Sequence, residues 1–259
     1  MQLQALPALS DNYIWLLHDA DGGAVVVDPG QAGPVLAAAE TRDFRPTAIL
    51  LTHHHPDHIG GTAELQAHWP GLPVFAPHDD RIDCATARVG DGGRVAAGGY
   101  GFDVIAVPGH TTSHIAFHLD DSRESLLFCG DTLFSLGCGR LFEGSAAQMH
   151  GSLSRLAALP DATRVCCGHE YTLSNAAFAR VVEPDNPALR RRTEEAQTMR
   201  QAERPTLPST IAQERACNPF LRCDQPAVIA AVEQRLGRVP EGPVEVFAEL
   251  RRWKDGFTA

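Results

Sequence analysis

Residues 48–61 read AILLTHHHPDHIGG, an apolar run that ends in three histidines, an aspartate and a fourth histidine. AILL has the makings of a buried strand. In extended backbone, side chains two residues apart share a face, so His53 and His55 point one way and His54 the other. Asp57 and His58 follow at the turn into a helix expected over 59–69. His53, His55, Asp57 and His58 place four nitrogen and oxygen donors within six residues at a strand end, which is metal-site spacing. Imidazole suits zinc, iron, nickel and copper, and a carboxylate widens the choice toward manganese. A merely solvated histidine-rich loop would not sit between a core strand and an amphipathic helix, nor carry the acid.

Three further candidate ligands lie downstream, each after an apolar run and immediately after a glycine: His110 in VPGH, Asp131 in LLFCGD and His169 in VCCGH. The glycine permits a tight turn and close backbone approach. Loops at successive strand ends converge on one edge of a sheet. Five histidines and two aspartates are too many donors for one four-coordinate ion. They suit two ions with one shared carboxylate.

The rest of the chain frames this motif. Of 259 residues, 44% are hydrophobic and 21% charged, which marks a folded protein with a sizeable core. The net charge of −10 argues against nucleic acid as a partner. No apolar run reaches the roughly 18 residues of a membrane span, and the N-terminus carries no signal-peptide pattern. Seven cysteines without a C-x-x-C pair read as buried thiols in a reducing, cytoplasmic compartment.

Strands are expected at 13–18, 24–27, 47–51, 73–75, 102–107, 115–119, 125–129 and 164–167, with helices at 33–40, 59–69 and 146–159 between them. Beyond residue 172 the texture becomes helical, at 173–182, 187–204, 226–236 and 243–253, and three of these begin at proline. The charge changes with it, from −11 over residues 1–170 to +1 over 171–259. The expectation is an α+β domain over 1–172 and a smaller helical domain over 173–259.

The H-x-H-x-D-H run, followed by His, Asp and His at strand ends, resembles the metal motif of the metallo-β-lactamase superfamily. That resemblance implies an αββα sandwich over about residues 1–170. SDNYIWLL at 10–17, GDTLFSLGCGRLFEG at 130–144, GHEYT at 168–172, EPDNPAL at 183–189, NPFLR at 218–222 and RRWK at 251–254 extend the likeness across nearly the whole chain. Together they resemble the glyoxalase II (hydroxyacylglutathione hydrolase) family, including its helical C-terminal domain.

The family resemblance implies that His53, His55 and His110 hold one ion and Asp57, His58 and His169 a second, with Asp131 bridging. His54 and His114 are then not ligands. The ions would be zinc, with iron and manganese compatible with the same donors. A hydroxide shared by the ions would be the nucleophile, with no separate catalytic side chain. The implied substrate is S-D-lactoylglutathione, cleaved to glutathione and D-lactate in the degradation of methylglyoxal. Arg251 and Lys254, three apart on one helix face, would hold the glycine carboxylate. Arg140, Phe142 and Tyr171 complete the substrate-binding set, Arg140 standing where the family commonly has Lys and Phe142 where some members have Tyr. The partner expected is this small molecule alone, with no nucleic acid and no membrane, and the chain a monomer. A one-iron persulfide dioxygenase of the same superfamily is the rival reading, and it leaves Asp57, His58 and His169 without a role.

Overall fold

In the computed structural model, which describes residues 1–18, 22–42, 44–121 and 124–258, the apolar runs around the histidine motif are the inner strands of a sheet. Its elements are β1 (Gln2–Ala8), β2 (Asn12–His18), β3 (Gly23–Val27), α1 (Gly33–Arg42), β4 (Arg45–Leu50), α2 (Pro56–Ile59), α3 (Thr62–His68), β5 (Val74–Pro77) and β6 (Ala87–Val89). The strands lie in the order β1-β2-β3-β4-β5-β6. β1, β2 and β3 pair antiparallel, and β3 through β6 pair parallel. Parallel strands buried on both faces need continuous apolar runs, and Val25, Val26, Ile49 and Leu50 are fully buried. One face packs Ile14, Leu16, Val26, Ile49 and Val74 against Val35 and Ala39 of α1 and Leu65 of α3.

A second sheet holds β7 (Arg94–Ala97), β8 (Tyr100–Ala106), β9 (Ile115–Asp120) and β10 (Ser125–Gly130), antiparallel in sequence order. Cys166 and Cys167, the end of a later strand, lie beside β10. Met1–Ala106, Ser113–Gly130 and Cys166–Glu170 form one compact unit.

The other unit comprises Val107–Thr112, Asp131–Val165 and Tyr171–Ala259. It contains β11 (Leu133–Phe134), β12 (Gly137–Cys138), α4 (Ala146–Ala157), the start of β13 (Arg164–Cys167), α5 (Thr172–Val182), α6 (Pro187–Gln201), β14 (Ser209–Thr210), α7 (Ile211–Cys217), α8 (Pro226–Leu236) and α9 (Pro243–Asp255). Three of its helices begin at side-chain caps. Ser145 and Gln148 make a capping box for α4, and Thr210 and Gln213 one for α7. Asn186 accepts from the first amides of α6, ahead of Pro187. The helical texture expected after residue 172 is thus present.

Differences from the sequence reading are local. The helix expected over 59–69 is two short ones, α2 and α3, interrupted at Gly60 and Gly61. β1 was not expected, because QLQALPA lacks β-branched residues; it forms by pairing along β2, Ala5 opposite Trp15. α7 was also not expected, although its capping box is written in the sequence. β6, β7, β11, β12 and β14 are short strands of two to four residues, below the length at which alternation is readable.

Candidate metal centre

β4 delivers Thr52 to His58 at its C-terminal end, and alternation sorts the three histidines as expected. His53 is fully buried, and its Nε2 lies 3.1 Å from Nδ1 of His55. His54 turns to Asp79, Nδ1 to Oδ2 3.4 Å. Asp79 is in turn gripped by the Arg81 guanidinium at 2.7 and 2.8 Å and by the Ser113 hydroxyl at 2.5 Å. The arginine hydrogen bonds hold its carboxyl well below the usual carboxylate range.

Asp57 follows Pro56 in the one-turn helix α2. Its Oδ2 lies 3.5 Å from Nε2 of His58 and 3.4 Å from Nε2 of His169. Two donors on one tetrahedral zinc, each about 2.0–2.1 Å from the ion, stand roughly 3.3 Å apart. The His53–His55, Asp57–His58 and Asp57–His169 separations are of that size, so these donors fit metal ions. A close backbone approach fixes the turn: a Cβ on Gly30 would collide with the carbonyl oxygen of Asp57, so only glycine allows the turn to sit there.

The far nitrogens of three of these imidazoles, His53, His58 and His169, are tied down. His169 Nδ1 is 2.8 Å from Oδ1 of Asp11, and His58 Nδ1 is 3.1 Å from Oδ2 of Asp28. Asp28 also takes the Thr52 amide at 2.8 Å and the Thr52 hydroxyl at 2.7 Å. Having given its proton to Asp28, Thr52 Oγ1 accepts from Nδ1 of His53 at 3.0 Å. Each hydrogen bond puts the proton on Nδ1 and leaves the Nε2 lone pair for a metal. Asn12 Nδ2 donates to Asp57 Oδ2 at 3.0 Å. Fully buried His114 stacks on the His53 ring at 4.5 Å, and its Nδ1 lies 3.0 Å from the Ile115 carbonyl oxygen, a packing role.

Asp11, Asn12, Asp28 and Asp79 were not singled out in the sequence. Asp28 follows the run VVV just as Asp131 follows LLFC, so an acid at a strand end was the available signal. Asp11→Ala should weaken metal retention about 10–100-fold by freeing the His169 ring, with the fold unchanged. Chelator competition against the unaltered protein reads this directly, and equal retention would deny Asp11 that role.

The second unit gathers the remaining candidates. His110 Nε2 lies 3.4 Å from Asp131 Oδ2, again the spacing of two donors on one ion, and its Nδ1 donates to the Arg140 carbonyl at 2.8 Å. Both residues line a cleft of about 430 Å³ whose walls include Arg140, Phe142, Tyr171, Arg251 and Lys254. All five residues expected on the substrate side therefore border one cavity. Phe142 is 64% exposed, with its ring edge-on to His110 at 5.1 Å. Tyr171 packs edge-on against Phe134. Lys254 donates to the Ser174 carbonyl and hydroxyl at 3.1 and 3.3 Å, and burial holds its ammonium below the usual lysine range, with Arg251 and Arg140 adding repulsion. Arg251 is buried, with its guanidinium on the Cys138 carbonyl and on Asp255. Ser174 and Asn175 of α5 and Phe257 beyond the end of α9 also line the cleft, unmarked in the sequence because lone small polar and aromatic residues look like any others.

These donor groups, carried at strand ends of paired β-sheets, define the class: residues 9–169 match the model of the metallo-β-lactamase superfamily, a divalent-metal-binding fold. Residues 170–257 match the model described as the hydroxyacylglutathione hydrolase C-terminus. The chain belongs to the hydroxyacylglutathione hydrolase family: it is 60% identical to the hydroxyacylglutathione hydrolase of Xanthomonas axonopodis pv. citri over 100% of both chains. Among solved structures it is similar to the B3 metallo-β-lactamase BLEG-1, at TM-score 0.66 and 23% identity, covering 85% of this chain and 99% of that one. It is also similar to TTHA1623, solved in a di-iron-bound form, at TM-score 0.55 and 30% identity, covering 65% and 92%.

Proposed function

We propose that this chain hydrolyses the thioester of S-(2-hydroxyacyl)glutathione, with S-D-lactoylglutathione as type substrate, to glutathione and a 2-hydroxy acid. The observation that carries this is the cleft itself, where candidate ligands His110 and Asp131 share one wall system with three cations, Arg140, Arg251 and Lys254. Glutathione carries two carboxylates and needs such cations.

On this reading His53, His55 and His110 hold one divalent ion, Asp57, His58 and His169 hold another, and Asp131 serves both. Zinc is the ion proposed, and iron, which TTHA1623 holds as a pair, and manganese suit the same donors. When bound, the ions supply a water acidic enough to ionise near neutral pH and a Lewis acid for the carbonyl oxygen. The chain does the rest. Asp11, Asp28, Thr52 and the Arg140 carbonyl keep five-membered rings aimed and correctly protonated. Lys254 and Arg251 anchor the glycine carboxylate, Arg140 adds positive potential, and Phe142 and Tyr171 flank the peptide. A thiol of pKa about 8.5 departs readily as thiolate, so no separate acid is needed. No cysteine takes part as nucleophile. Cys138 is pushed up to about 11 by burial, and burial also raises Cys217 and Cys223, which keeps these thiols inert.

Residues 1–172 thus supply the metal ligands, and the helical 173–259 supplies Arg251 and Lys254. The chain is proposed to act as a monomer. No helix among the described residues is long and apolar enough to cross a membrane. The seven cysteines are thiols rather than disulfides, which supports a cytoplasmic setting. The one-iron oxidoreductase reading leaves the gathering of Asp57, His58 and His169 unexplained.

The test compares S-D-lactoylglutathione with the D-lactoyl ester of a small uncharged thiol. Loss of two or three charge contacts should cost the uncharged ester about 30-fold or more in kcat/KM. Equal rates would remove the glutathione pocket, and no hydrolysis of either by metal-loaded protein would remove the thioesterase.

A further inference from the structure

Asp255 is the last residue of α9 and lies among the cations of the cleft. Its Oδ1 accepts from Arg251 Nε at 3.2 Å and Nη2 at 2.9 Å, and lies 3.9 Å from Nε of Arg140. The Nε–Nη2 edge of a guanidinium is one that grips a carboxylate in the two-pronged fashion. In Arg251 that edge is taken by the chain's own acid. The remaining nitrogen, Nη1, is committed to the Cys138 carbonyl at 2.8 Å. A ligand carboxylate finds this side-on fork already occupied.

Helix stability does not account for an acid there. A carboxylate in the last turn faces the negative end of the helix dipole. An ion pair with the base four residues ahead of the acid is the less favourable order. Asp255 is 44% exposed at its side chain, against 6% for Arg251, so the acid can swing out to water while the base stays fixed.

We propose that Asp255 is a built-in competitor for the carboxylate subsite, which an incoming glutathione carboxylate must displace from Arg251. This rests on the thioesterase reading of the cleft and adds a specificity element to it. The competitor lowers affinity for substrate and for product glutathione alike. It also excludes small anions, which cannot recoup the displacement through contacts elsewhere in the cleft.

The experiment uses metal-loaded full-length protein and the variants Asp255→Asn and Asp255→Ala. Asparagine keeps an oxygen for Arg251 without the charge; alanine removes both. Both variants should show KM for S-D-lactoylglutathione and the inhibition constant of glutathione reduced together, about fivefold, as expected for removing one partly exposed charge. Inhibition by acetate should emerge in both. KM for the uncharged thioester should not move, which separates this effect from a change in the reacting centre. If Asp255 instead orients Arg251, alanine raises KM and asparagine leaves it near its original value, and the proposal falls. Turnover and glutathione binding by calorimetry keep the two levels apart. A metal-loaded parent that hydrolyses no S-D-lactoylglutathione refutes the thioesterase reading, whereas a parent that binds glutathione no more weakly than either variant refutes the competitor alone. Thermal melts confirm that α9 is intact in each.

Discussion

Asp131→Ala should lose metal and turnover together. The carboxylate is 7% exposed and lies 3.4 Å from the Nε2 of His110, whose other nitrogen is fixed by the Arg140 carbonyl. A buried acid among imidazoles is costly without a cation, and a cation there is weakly held without the acid. As the ligand proposed to serve both ions, Asp131 affects two equivalents of metal where any single histidine affects one. Its backbone is equally constrained. A Cβ at Gly139 would collide with the Asp131 carbonyl oxygen, and the Gly139 amide donates to Thr132 at 3.1 Å. The carboxylate therefore cannot be replaced by a shift of the loop. Loss of several kcal/mol of charge stabilisation predicts a fall in kcat/KM of about 10³-fold or more. Metal analysis should show fewer bound equivalents after the same loading. Asp131→Asn, with shape kept and charge gone, should fall between. A fully active Asp131→Ala protein with its metal complement intact would refute the assignment.

The loops that carry the proposed ligands were legible in the sequence because the histidine spacing at 53, 55 and 58 is local. Strand alternation then assigned His54 to the other side, where it meets Asp79. The acids behind the proposed ligands were not legible. Asp11 reaches His169 across 158 positions of chain, and before folding it is one aspartate in a turn. Asp28 reads as the residue before a Pro-Gly turn, yet it serves Thr52 and His58 together. The long strands and helices followed from periodicity, whereas β1 exists only because β2 offers it a partner. Arg251 was legible as a cation three residues from Lys254. That its carboxylate-binding edge is occupied by Asp255 depends on side-chain placement that no spacing rule encodes.

The second large effect concerns Glu214, a fully buried carboxylate that takes no part in the proposed chemistry. Its Oε2 accepts from the amide of Leu136 at 2.8 Å and from Asn218 Nδ2 at 3.1 Å. Leu136 has φ of 61°, a left-handed conformation that a branched residue keeps only when held there. Asn218 also donates to the carbonyls of Phe134 and Gly137, and Asn175 to that of Ser135. Arg192, also buried, reaches the Ser135 hydroxyl at 3.2 Å and the Thr206 carbonyl at 2.7 Å. The helical region thus grips residues 134–137 on the stretch that runs from Asp131 to Arg140. Glu214→Ala leaves the Leu136 amide and one Asn218 bond without an acceptor, and should cost about 3 kcal/mol, or roughly 6–12 °C in Tm. Glu214→Gln keeps an acceptor and should cost less, but it changes the pH dependence in a definite direction. Burial raises the Glu214 pKa above the ordinary 4.5, so the folded state binds this proton more tightly than the unfolded chain. The proton's contribution is complete below the unfolded value and is lost as pH rises through the folded one. Glutamine has no such loss. Stability measured against pH should therefore show the Gln variant gaining on the parent from about pH 4.5 upward and then holding a constant offset. Every group common to the two proteins cancels in the difference. A difference that is flat across that range, or that shrinks as pH rises, would show that the folded protein carries Glu214 as an ordinary ionised carboxylate.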